Sequence, residues 1–483
     1  MSHISRRTVL KAAAASAAFP LFTIAGTKAS GKVIGANDTI RIGVAGIHGR
    51  GSAHIDGLAG ADKVQVTCLI DPDTTVFAGR SKQVANKGGN TPECVQDIRR
   101  ALDDKTLDAI TVATTNHWHS LITIWACQAG KDVYVEKPIS HNVFEGRQCV
   151  EAAKKYGRVV QHGTQNRSST GKAKEIAAVH SEKYGKLLVS KGYCCKNRWG
   201  IGTKPIETPP SSLDFNLWTG PAQKLDFHRN LVHYNWHWFW ETGNGDIGNQ
   251  GVHEMDIARW AIKGGTLPTK VWSLGGRMIP EGADQAETPN MLLSVMEFGD
   301  VLLVFETRGL TNKHKDFPNV VDNEYYTTDG VIRDGKFYKK GSTAGEELKV
   351  DAVPHVAPGG AFGSFVNAMR TRKPEDNNCD AEVAHYSASL CHLSNISYRV
   401  GEQVKYDKAA GRAGKSGVVK DAFEKLAANA TAVGLPVDKQ IYTRGRELSF
   451  DPASEKFTGE NVAAANALLT RPYRAPFVVP DKI

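Results

Sequence analysis

The sequence predicts an α/β protein that begins with a doubly wound parallel sheet and continues into a second domain. Two observations predict this class. Short apolar runs typical of buried strands alternate with helix-length amphipathic segments between residues 40 and 163. The chain has 483 residues, more than one hydrophobic core usually contains, so we expect two domains.

The first strand–turn–helix–strand unit, residues 39–71, carries a glycine-rich turn and ends in an acid. Glycines let such a turn tighten and let the backbone approach a pyrophosphate, while the following helix N-terminus offers free N–H groups. An acid roughly 20 residues further on can accept hydrogen bonds from the adenosine ribose. The unit therefore predicts a dinucleotide site formed by Gly46, Ile47, His48, Gly49, Arg50, Gly51 and Asp71.

One position of this turn departs from the usual G-x-G-x-x-G pattern. His48 stands where the second glycine is expected, and Gly49 follows directly. Asp71-Pro72-Asp73 offers no Arg or Lys to receive a 2′-phosphate, so we expect NAD rather than NADP. An ordinary strand–turn–helix without a ligand is the alternative interpretation.

The strand–helix alternation continues to about residue 163. The pattern predicts helices at 74–86, 91–103, 116–130 and 143–156, and strands at 107–114, 132–136 and 159–163. Ligands of parallel sheets gather at the carboxyl ends of the strands. Several polar residues follow such ends, and we predict that they contact the cofactor: Asn116, His117, His119, Glu136, Lys137 and Gln165.

The segment T-N-H-W-H at 115–119, followed by Glu136-Lys137-Pro138 after the next strand, resembles the Gfo/Idh/MocA oxidoreductase family. The resemblance extends from about Thr39 to Tyr398. It implies a Rossmann domain followed by an α/β domain with a large open, mostly antiparallel sheet. It also implies that Lys137 lies near the nicotinamide and the reacting hydroxyl, where a cation can lower the pKa of a sugar hydroxyl and orient it.

A second family motif, D-x-G-x-H-x-x-D, falls in a glycine-rich turn and helix at 242–262. The resemblance implies that His253 is the acid/base, which suits the near-neutral pKa of an imidazole. Asn249 replaces the leading Asp and cannot take a proton, although it can orient substrate; Asp246 or Glu254 is the alternative carboxylate. The matching positions are Gly251, His253 and Asp256.

An irregular, aromatic-rich stretch at 199–240 precedes this helix. Indole faces stack well on the apolar faces of sugar rings, so we predict a carbohydrate site; the alternative is that these rings only pack a long loop onto the domain. The predicted substrate contacts are Lys137, Arg198, Trp199, Tyr234, Trp236, Asn249 and His253.

The rest of the chain is predicted to form a second sheet and the helices that support it. The predicted strands are 187–193, 270–277, 290–298, 301–308 and 323–328, and the predicted helices are 172–181, 362–371, 381–400 and 418–430. We predict four segments: a signal segment at 1–36, a dinucleotide domain at 37–164, a substrate and oligomerisation domain at 165–400, and a C-terminal extension at 401–483 that wraps the body. The open sheet implied by the family favours a homodimer or homotetramer.

The N-terminus predicts export. Residues 5–11, S-R-R-T-V-L-K, form a twin-arginine pattern, and an Ala-rich apolar run follows to about Ile24. We expect cleavage between Ala25 and Asn37, a periplasmic protein, and no membrane anchor after processing. Because a periplasm holds no useful free nicotinamide pool, we expect a tightly held cofactor that is regenerated within each catalytic cycle.

Composition excludes some functions and leaves others. The formal charge is +9, of which the first 36 residues contribute five, so nucleic-acid binding has little support. The eight cysteines show no metal-site spacing, and we predict no metal. We expect an NAD-dependent oxidoreductase acting on a sugar or glycoside. The alternatives are an NAD-dependent glycoside hydrolase and a nucleotide-containing scaffold that has lost catalysis.

Overall fold

The computed structural model describes residues 38–279, 282–405, 416–436, 438 and 441–483. The predicted signal segment and its twin-arginine pattern lie outside these residues. None of the helices described is long and apolar enough to cross a membrane.

The first domain is the predicted parallel sheet. Its strands lie in the order β3-β2-β1-β4-β5-β6, and every neighbouring pair is parallel, which is the order of two dinucleotide-binding halves. The strands are β1 (Ile40–Ala45), β2 (Val64–Ile70), β3 (Glu93–Val95), β4 (Ala109–Val112), β5 (Asp132–Val135) and β6 (Val160–His162). The helices are α1 (Arg50–Leu58), α2 (Phe77–Gly88), α3 (Ile98–Asp103), α4 (Asn116–Gln128) and α5 (Val143–Tyr156).

Burial explains why these strands were predictable. All four residues of β4 and of β5 are buried, because helices cover both faces of a parallel sheet. The predicted helix at 91–103 is wrong. Its first part is β3, and only α3 is helical, because Asp97 caps the helix there by accepting a hydrogen bond from the Arg99 amide at 3.0 Å.

The second domain is built on the predicted open sheet. Its path runs β14-β13-β12-β11-β7-β10-β9-β8-β16-β15, with β17 and β18 attached at β8, and among the described strands of this sheet only β7 and β10 pair in parallel. The strands are β7 (Leu187–Cys195), β8 (Lys270–Gly276), β9 (Met291–Phe298), β10 (Val301–Arg308), β11 (Val320–Thr327), β12 (Gly330–Arg333), β13 (Lys336–Lys339), β14 (Gly345–Glu347), β15 (Glu402–Lys405), β16 (Ile441–Arg444), β17 (Leu448–Asp451) and β18 (Lys456–Thr458).

The remaining helices join the two sheets. The 19-residue α11 begins at the cap Asp380 and packs on α5 of the first domain as well as on β8 and α9 of the second. The short α8 and the longer α9 follow one another directly and present Asn249 and His253 to the first domain. These helices are α6 (Thr170–His180), α7 (Phe215–Thr219), α8 (Gly245–Asn249), α9 (Gly251–Trp260), α10 (Gly360–Thr371), α11 (Ala381–Arg399), α12 (Gly417–Ala432) and α13 (Ala463–Ala467).

The C-terminal residues contact both domains. Strands β15 to β18 extend the second sheet beyond β8. Phe477 is 1% exposed and joins the core of the first domain, where its ring lies edge-on to Trp118 at 5.3 Å. The described part of the extension therefore ties the second sheet back to the nucleotide domain.

A buried ion pair fixes α9. Asp256 is fully buried and accepts hydrogen bonds from Arg167 Nε at 2.7 Å, Arg167 Nη2 at 2.9 Å and Ser387 Oγ at 2.6 Å. The pKa of Asp256 lies below its ordinary value although burial opposes this, because the Arg167 charge and its hydrogen bonds stabilise the carboxylate. Asp256 is thus a structural residue that links α9 to Arg167, in the segment after β6, and to Ser387 of α11.

We expect Asp256→Ala to lower the free energy of unfolding by about 3–5 kcal/mol, because the mutation leaves the Arg167 charge buried without its partner. Guanidinium denaturation followed by tryptophan fluorescence measures this change. Lys420→Ala is the control. It breaks the exposed pair with Glu424 and should change the free energy by less than about 0.5 kcal/mol. Equal effects of the two substitutions would contradict the structural role of Asp256.

Candidate active site

The glycine-rich turn leaves room for an anion beside its backbone. A Cβ on Gly46 would come within 2.6 Å of the Ala113 backbone, and one on Gly51 would lie 2.0 Å from the Gly46 oxygen, so both positions require glycine. A Cβ on Gly49 would instead meet no described atom within 4 Å, and Gly49 lines the adjoining cavity. This open edge of the turn, at the N-terminus of α1, fits a pyrophosphate.

Asp71 ends β2 beside this turn. It is 3% exposed and accepts hydrogen bonds from the Ile47 amide and the Asp73 amide, each at 2.9 Å. Burial raises the pKa of Asp71 to about 6. Its carboxylate therefore lies at a dinucleotide-type strand end with capacity for further hydrogen bonds from a ribose, as the sequence predicts.

A clasp, which we define as His48, Asp73 and His233, joins this turn to the aromatic stretch. The two imidazoles stack with centroids 3.7 Å apart, and His233 Nε2 lies 3.1 Å from Asp73 Oδ2. The three ligating atoms lie within 4.8 Å of one another, as in some metal sites. Because the stacked ring planes are only 20° apart, their in-plane lone pairs do not converge on one ion, so we read the cluster as a hydrogen-bonded contact between domains.

Glu136 organises the floor of the cavity. Its buried carboxylate accepts a hydrogen bond from Arg50 Nε at 2.7 Å, lies 3.2 Å from His54 Nε2, and accepts one from Gln165 Nε2 at 3.3 Å. Burial favours the neutral acid, but the hydrogen bond from His54 and the nearby cations hold the pKa of Glu136 well below its usual range. The acid of the E-K-P motif is therefore a fixed negative charge beside Lys137.

Lys137 reaches across the domain boundary. Its Nζ donates to Asn249 Oδ1 at 3.2 Å, and Asn249 Nδ2 in turn donates to Asp246 Oδ1 at 3.4 Å. Asp246 is held by Arg198, whose Nε lies 2.7 Å away. Burial lowers the pKa of Lys137, while the charges of Glu136 and Asp246 oppose that shift. Of the two alternative carboxylates, Asp246 is the one that contacts Asn249.

His253 faces the same cavity without a fixed partner. It is half-buried on α9, and its ring makes no hydrogen bond to any of the described residues. Burial, reinforced by the charge of Lys137, lowers the pKa of His253 to about 3. The imidazole is therefore neutral at physiological pH and free to accept a proton from a bound molecule.

These groups line one cavity of about 400 Å³ between the domains. One end is the glycine turn and Asp71, and the other is the aromatic stretch with α8 and α9. The predicted residues that line it are Gly46, His48, Gly49, Arg50, Asp71, Asn116, His119, Glu136, Lys137, Gln165, Tyr234, Trp236, Asn249 and His253.

Five predicted residues do not line this cavity. His117 is fully buried, with Nδ1 3.2 Å from the Thr242 carbonyl and Nε2 3.1 Å from that of Trp218, so its ring points away from the cofactor side. Arg198 forms an ion pair with Asp246. Trp199 donates a hydrogen bond from Nε1 to the Thr311 carbonyl, and the Lys313 ammonium lies 4.0 Å from its ring centroid. The other two residues, Ile47 and Gly51, belong to the turn itself. Ile47 is fully buried, and Gly51 packs against the Gly46 carbonyl oxygen.

The cavity also contains residues that the sequence did not single out. His237 is 8% exposed, stacks on Trp236 at 3.5 Å, and lies with Nδ1 2.5 Å from the Tyr234 carbonyl. Its position inside the aromatic stretch was the available signal. Other such residues at this end of the cavity include His233, Gln250 and Trp218.

Two family profiles match the chain. Residues 40–164 match an oxidoreductase family with an NAD-binding Rossmann fold, and residues 185–274 match the C-terminal α/β domain of the same family. The first match covers the glycine turn, Asp71 and the E-K-P motif. The second covers α8 and α9, which carry Asn249 and His253.

Curated relatives match over part of their length. A glycosyl hydrolase family 109 protein of Shewanella pealeana is 28% identical over 170 residues, covering 32% of this chain and 37% of that protein. An inositol 2-dehydrogenase of Salmonella typhimurium is 27% identical over 177 residues, covering 36% of this chain and 50% of that enzyme. The chain therefore spans half or less of the length of these relatives.

The fold is shared more widely. The WlbA dehydrogenase of Bordetella pertussis, solved in complex with NADH and UDP-GlcNAcA, superposes with a TM-score of 0.53 at 18% identity. The match covers 73% of this chain and 94% of that one. At this identity the likeness concerns the fold alone: a Rossmann domain followed by the large, mostly antiparallel sheet.

Proposed function

We infer that this chain belongs to the Gfo/Idh/MocA oxidoreductase family, whose profiles match residues 40–164 and 185–274, and we propose that it oxidises a hydroxyl of a sugar or glycoside with NAD. The observation that carries the proposal is the meeting of Lys137 and His253 in one cavity that also contains the glycine turn and Asp71. The rings of Tyr234 and Trp236 line the same cavity near His253 and supply surfaces suited to a sugar.

Each residue has a distinct task in this proposal. Bound NAD supplies the hydride acceptor. The neutral imidazole of His253 accepts the hydroxyl proton. Lys137, oriented by Asn249, donates a hydrogen bond to the substrate oxygen and stabilises the negative charge that develops there. The Glu136 carboxylate favours the charged form of the nearby Lys137 and so opposes the effect of burial on its pKa.

We further propose that the overall reaction is redox-neutral in an exported protein. The twin-arginine pattern supports export, and export removes the enzyme from a free nicotinamide pool. The clasp supports retention, because His233 of the aromatic stretch lies over His48 and Asp73 at the adenosine end of the cavity. The open, mostly antiparallel second sheet supports a homo-oligomer.

A glycoside hydrolase is the second candidate. Similarity to the family 109 protein favours it, and so does Asn249, which replaces the carboxylate expected beside His253. In this scheme a transient oxidation acidifies a neighbouring C–H, the glycosidic substituent is eliminated, water adds, and the sugar is reduced again. The same Lys137 and His253 would serve the oxidation step.

The deciding experiment uses the protein purified without added nucleotide. We expect denaturation to release about one NAD per chain. We also expect the native holoprotein, mixed with a panel of sugars and glycosides, to show the near-ultraviolet absorbance of reduced nicotinamide. Product analysis then separates the two candidates, because a hydrolase releases the aglycone and an oxidoreductase returns an oxidised sugar. Bound NAD with neither absorbance nor product across the panel would favour a scaffold.

A further inference from the structure

A second cavity, of about 410 Å³, adjoins the active-site cavity at α9. The two share Gln165, Gln250 and His253, so a molecule in the second cavity lies next to the proposed base. Its other walls come from the end of the first sheet, from α6 and from β11. These walls are polar: Asn166, Lys172, Glu254, Asp322 and Asn323.

Two of these polar side chains are almost fully buried. Glu254 is 3% exposed, and its carboxyl accepts only weak hydrogen bonds from Gln250 Nε2, at 3.2 and 3.3 Å. Asn323 is 1% exposed; its Nδ2 donates to the Glu254 carbonyl at 2.7 Å, while its buried Oδ1 has no partner among the described residues. The Glu254 carboxyl lines the cavity and makes only these long bonds with the described residues, so it keeps hydrogen-bonding capacity for a ligand or water.

The described lining of the cavity offers no uncompensated positive charge. The Lys172 ammonium lies 2.6 Å from Asp322 and 3.0 Å from Glu175, so two carboxylates more than neutralise it. Burial raises the pKa of Glu254 to about 8, which keeps this carboxyl protonated at neutral pH and able to donate as well as accept. No other Lys or Arg lines the cavity in the part of the chain that the structure describes. The site therefore suits an uncharged ligand rather than a phosphate or a uronate.

Amide, carboxyl and ammonium groups without an aromatic platform are suited to the hydroxyl edges of a sugar ring. We propose that the second cavity binds the second sugar unit of a neutral disaccharide or longer glycoside, whose first unit lies in the active-site cavity beside Tyr234 and Trp236. The glycosidic bond then passes His253. This inference rests on the proposed function and extends it, because it assigns the substrate class as glycosides of at least two units.

Binding measurements on the NAD-loaded protein test the subsite. Isothermal titration compares cellobiose with methyl β-glucoside and maltose with methyl α-glucoside. We expect one disaccharide to bind about tenfold more tightly than its methyl glycoside. Disaccharides that bind no better than their methyl glycosides in both pairs would overturn the inference, as would tighter binding of glucose 6-phosphate or glucuronate than of any neutral sugar.

Two variants locate the extra affinity. Glu254→Leu and Asp322→Asn should each weaken disaccharide binding about tenfold and leave methyl glycoside binding within about twofold. Glu324→Gln is the matched control, since this residue lies two positions along β11 from Asp322 and outside the cavity. Bound NAD and near-ultraviolet circular dichroism establish that the variants are folded. Equal losses for both ligand types would contradict the subsite.

The two proposals fail separately. If disaccharides bind in this pattern but no sugar produces reduced nicotinamide, the subsite stands and the oxidoreductase proposal falls. If methyl glycosides reduce the nicotinamide while disaccharides gain nothing, the oxidoreductase proposal stands and the subsite falls.

Discussion

Replacement of His253 by Ala is expected to lower turnover about a thousandfold while NAD stays bound. A positioned general base typically contributes between roughly a hundredfold and ten-thousandfold. The ring has no hydrogen-bond partner among the described residues, so its loss breaks no structural contact and the cofactor end of the cavity is unchanged. Single-turnover reduction of the bound nicotinamide measures the effect directly, and the released nucleotide gives the NAD content.

The control for this prediction is His314→Ala. That imidazole is 38% exposed, lies 3.6 Å from Asp316 and does not line the cavity, so turnover should stay within about twofold of wild type. A His253→Ala enzyme that retains more than about a tenth of wild-type turnover would remove His253 from the chemistry.

The lowered pKa of His253 gives the same prediction a pH signature. A base works in its unprotonated form, and a folded-state pKa of about 3 means that the imidazole stays neutral well below the ordinary value for histidine. The kcat/KM of the wild-type enzyme should therefore show no loss from His253 protonation between about pH 7 and pH 5. An acid limb near pH 6.5 that disappears in the His253→Asn variant would contradict this microenvironment.

Local patterns account for what the sequence predicts correctly. In the first domain the fully buried strands β4 and β5 are short apolar runs, whereas the partly exposed helix α5 has one buried face, so the local hydrophobic pattern separates them. Lys137 was predictable because the strand-end rule places ligands at one edge of a parallel sheet and the E-K-P motif falls there. These features depend on neighbouring residues and need no knowledge of distant contacts.

The strand-end rule does not determine which way a side chain points. Asn116 and His117 are adjacent at the start of α4, yet only Asn116 lines the cavity, because His117 turns toward carbonyls more than 100 residues away in the chain. His233 and His237 were missed for a related reason. Their stretch has no regular period, and contacts with His48, Asp73 and Trp236 fix their places.

The surroundings of Asn249, which replaces the Asp of the family motif, could be predicted only in part. The sequence offered Asp246 and Glu254 as alternatives to the missing carboxylate and could not choose between them. The structure separates their roles, since Asp246 accepts from Asn249 and thereby turns the amide oxygen toward Lys137, whereas Glu254 faces the second cavity. A carboxylate one turn away thus orients the amide that replaces the expected acid.

Replacement of Gly49 by Leu is expected to weaken NAD binding about a hundredfold and to leave the protein folded. No described atom lies within 4 Å of a Cβ at this position, so the turn itself tolerates the side chain. The side chain must then occupy the open edge of the turn, where the pyrophosphate approaches the backbone. A hundredfold loss corresponds to about 2.7 kcal/mol, within the usual cost of overpacking a tight contact.

Substitutions at two further glycines distinguish an effect on NAD affinity from an effect on the stability of the fold. Gly79→Leu on α2 also meets no described atom within 4 Å but lies outside the cavity, so NAD affinity should stay within about twofold. Gly51→Ala should instead destabilise the fold, because its Cβ would lie 2.0 Å from the Gly46 oxygen. Titration of apoprotein with NAD, followed by quenching of tryptophan fluorescence, reports affinity, and denaturation reports stability. A folded Gly49→Leu protein with wild-type NAD affinity would show that the pyrophosphate does not bind at the glycine turn. The nucleotide would then have no assigned place in the cavity that Lys137 and His253 line.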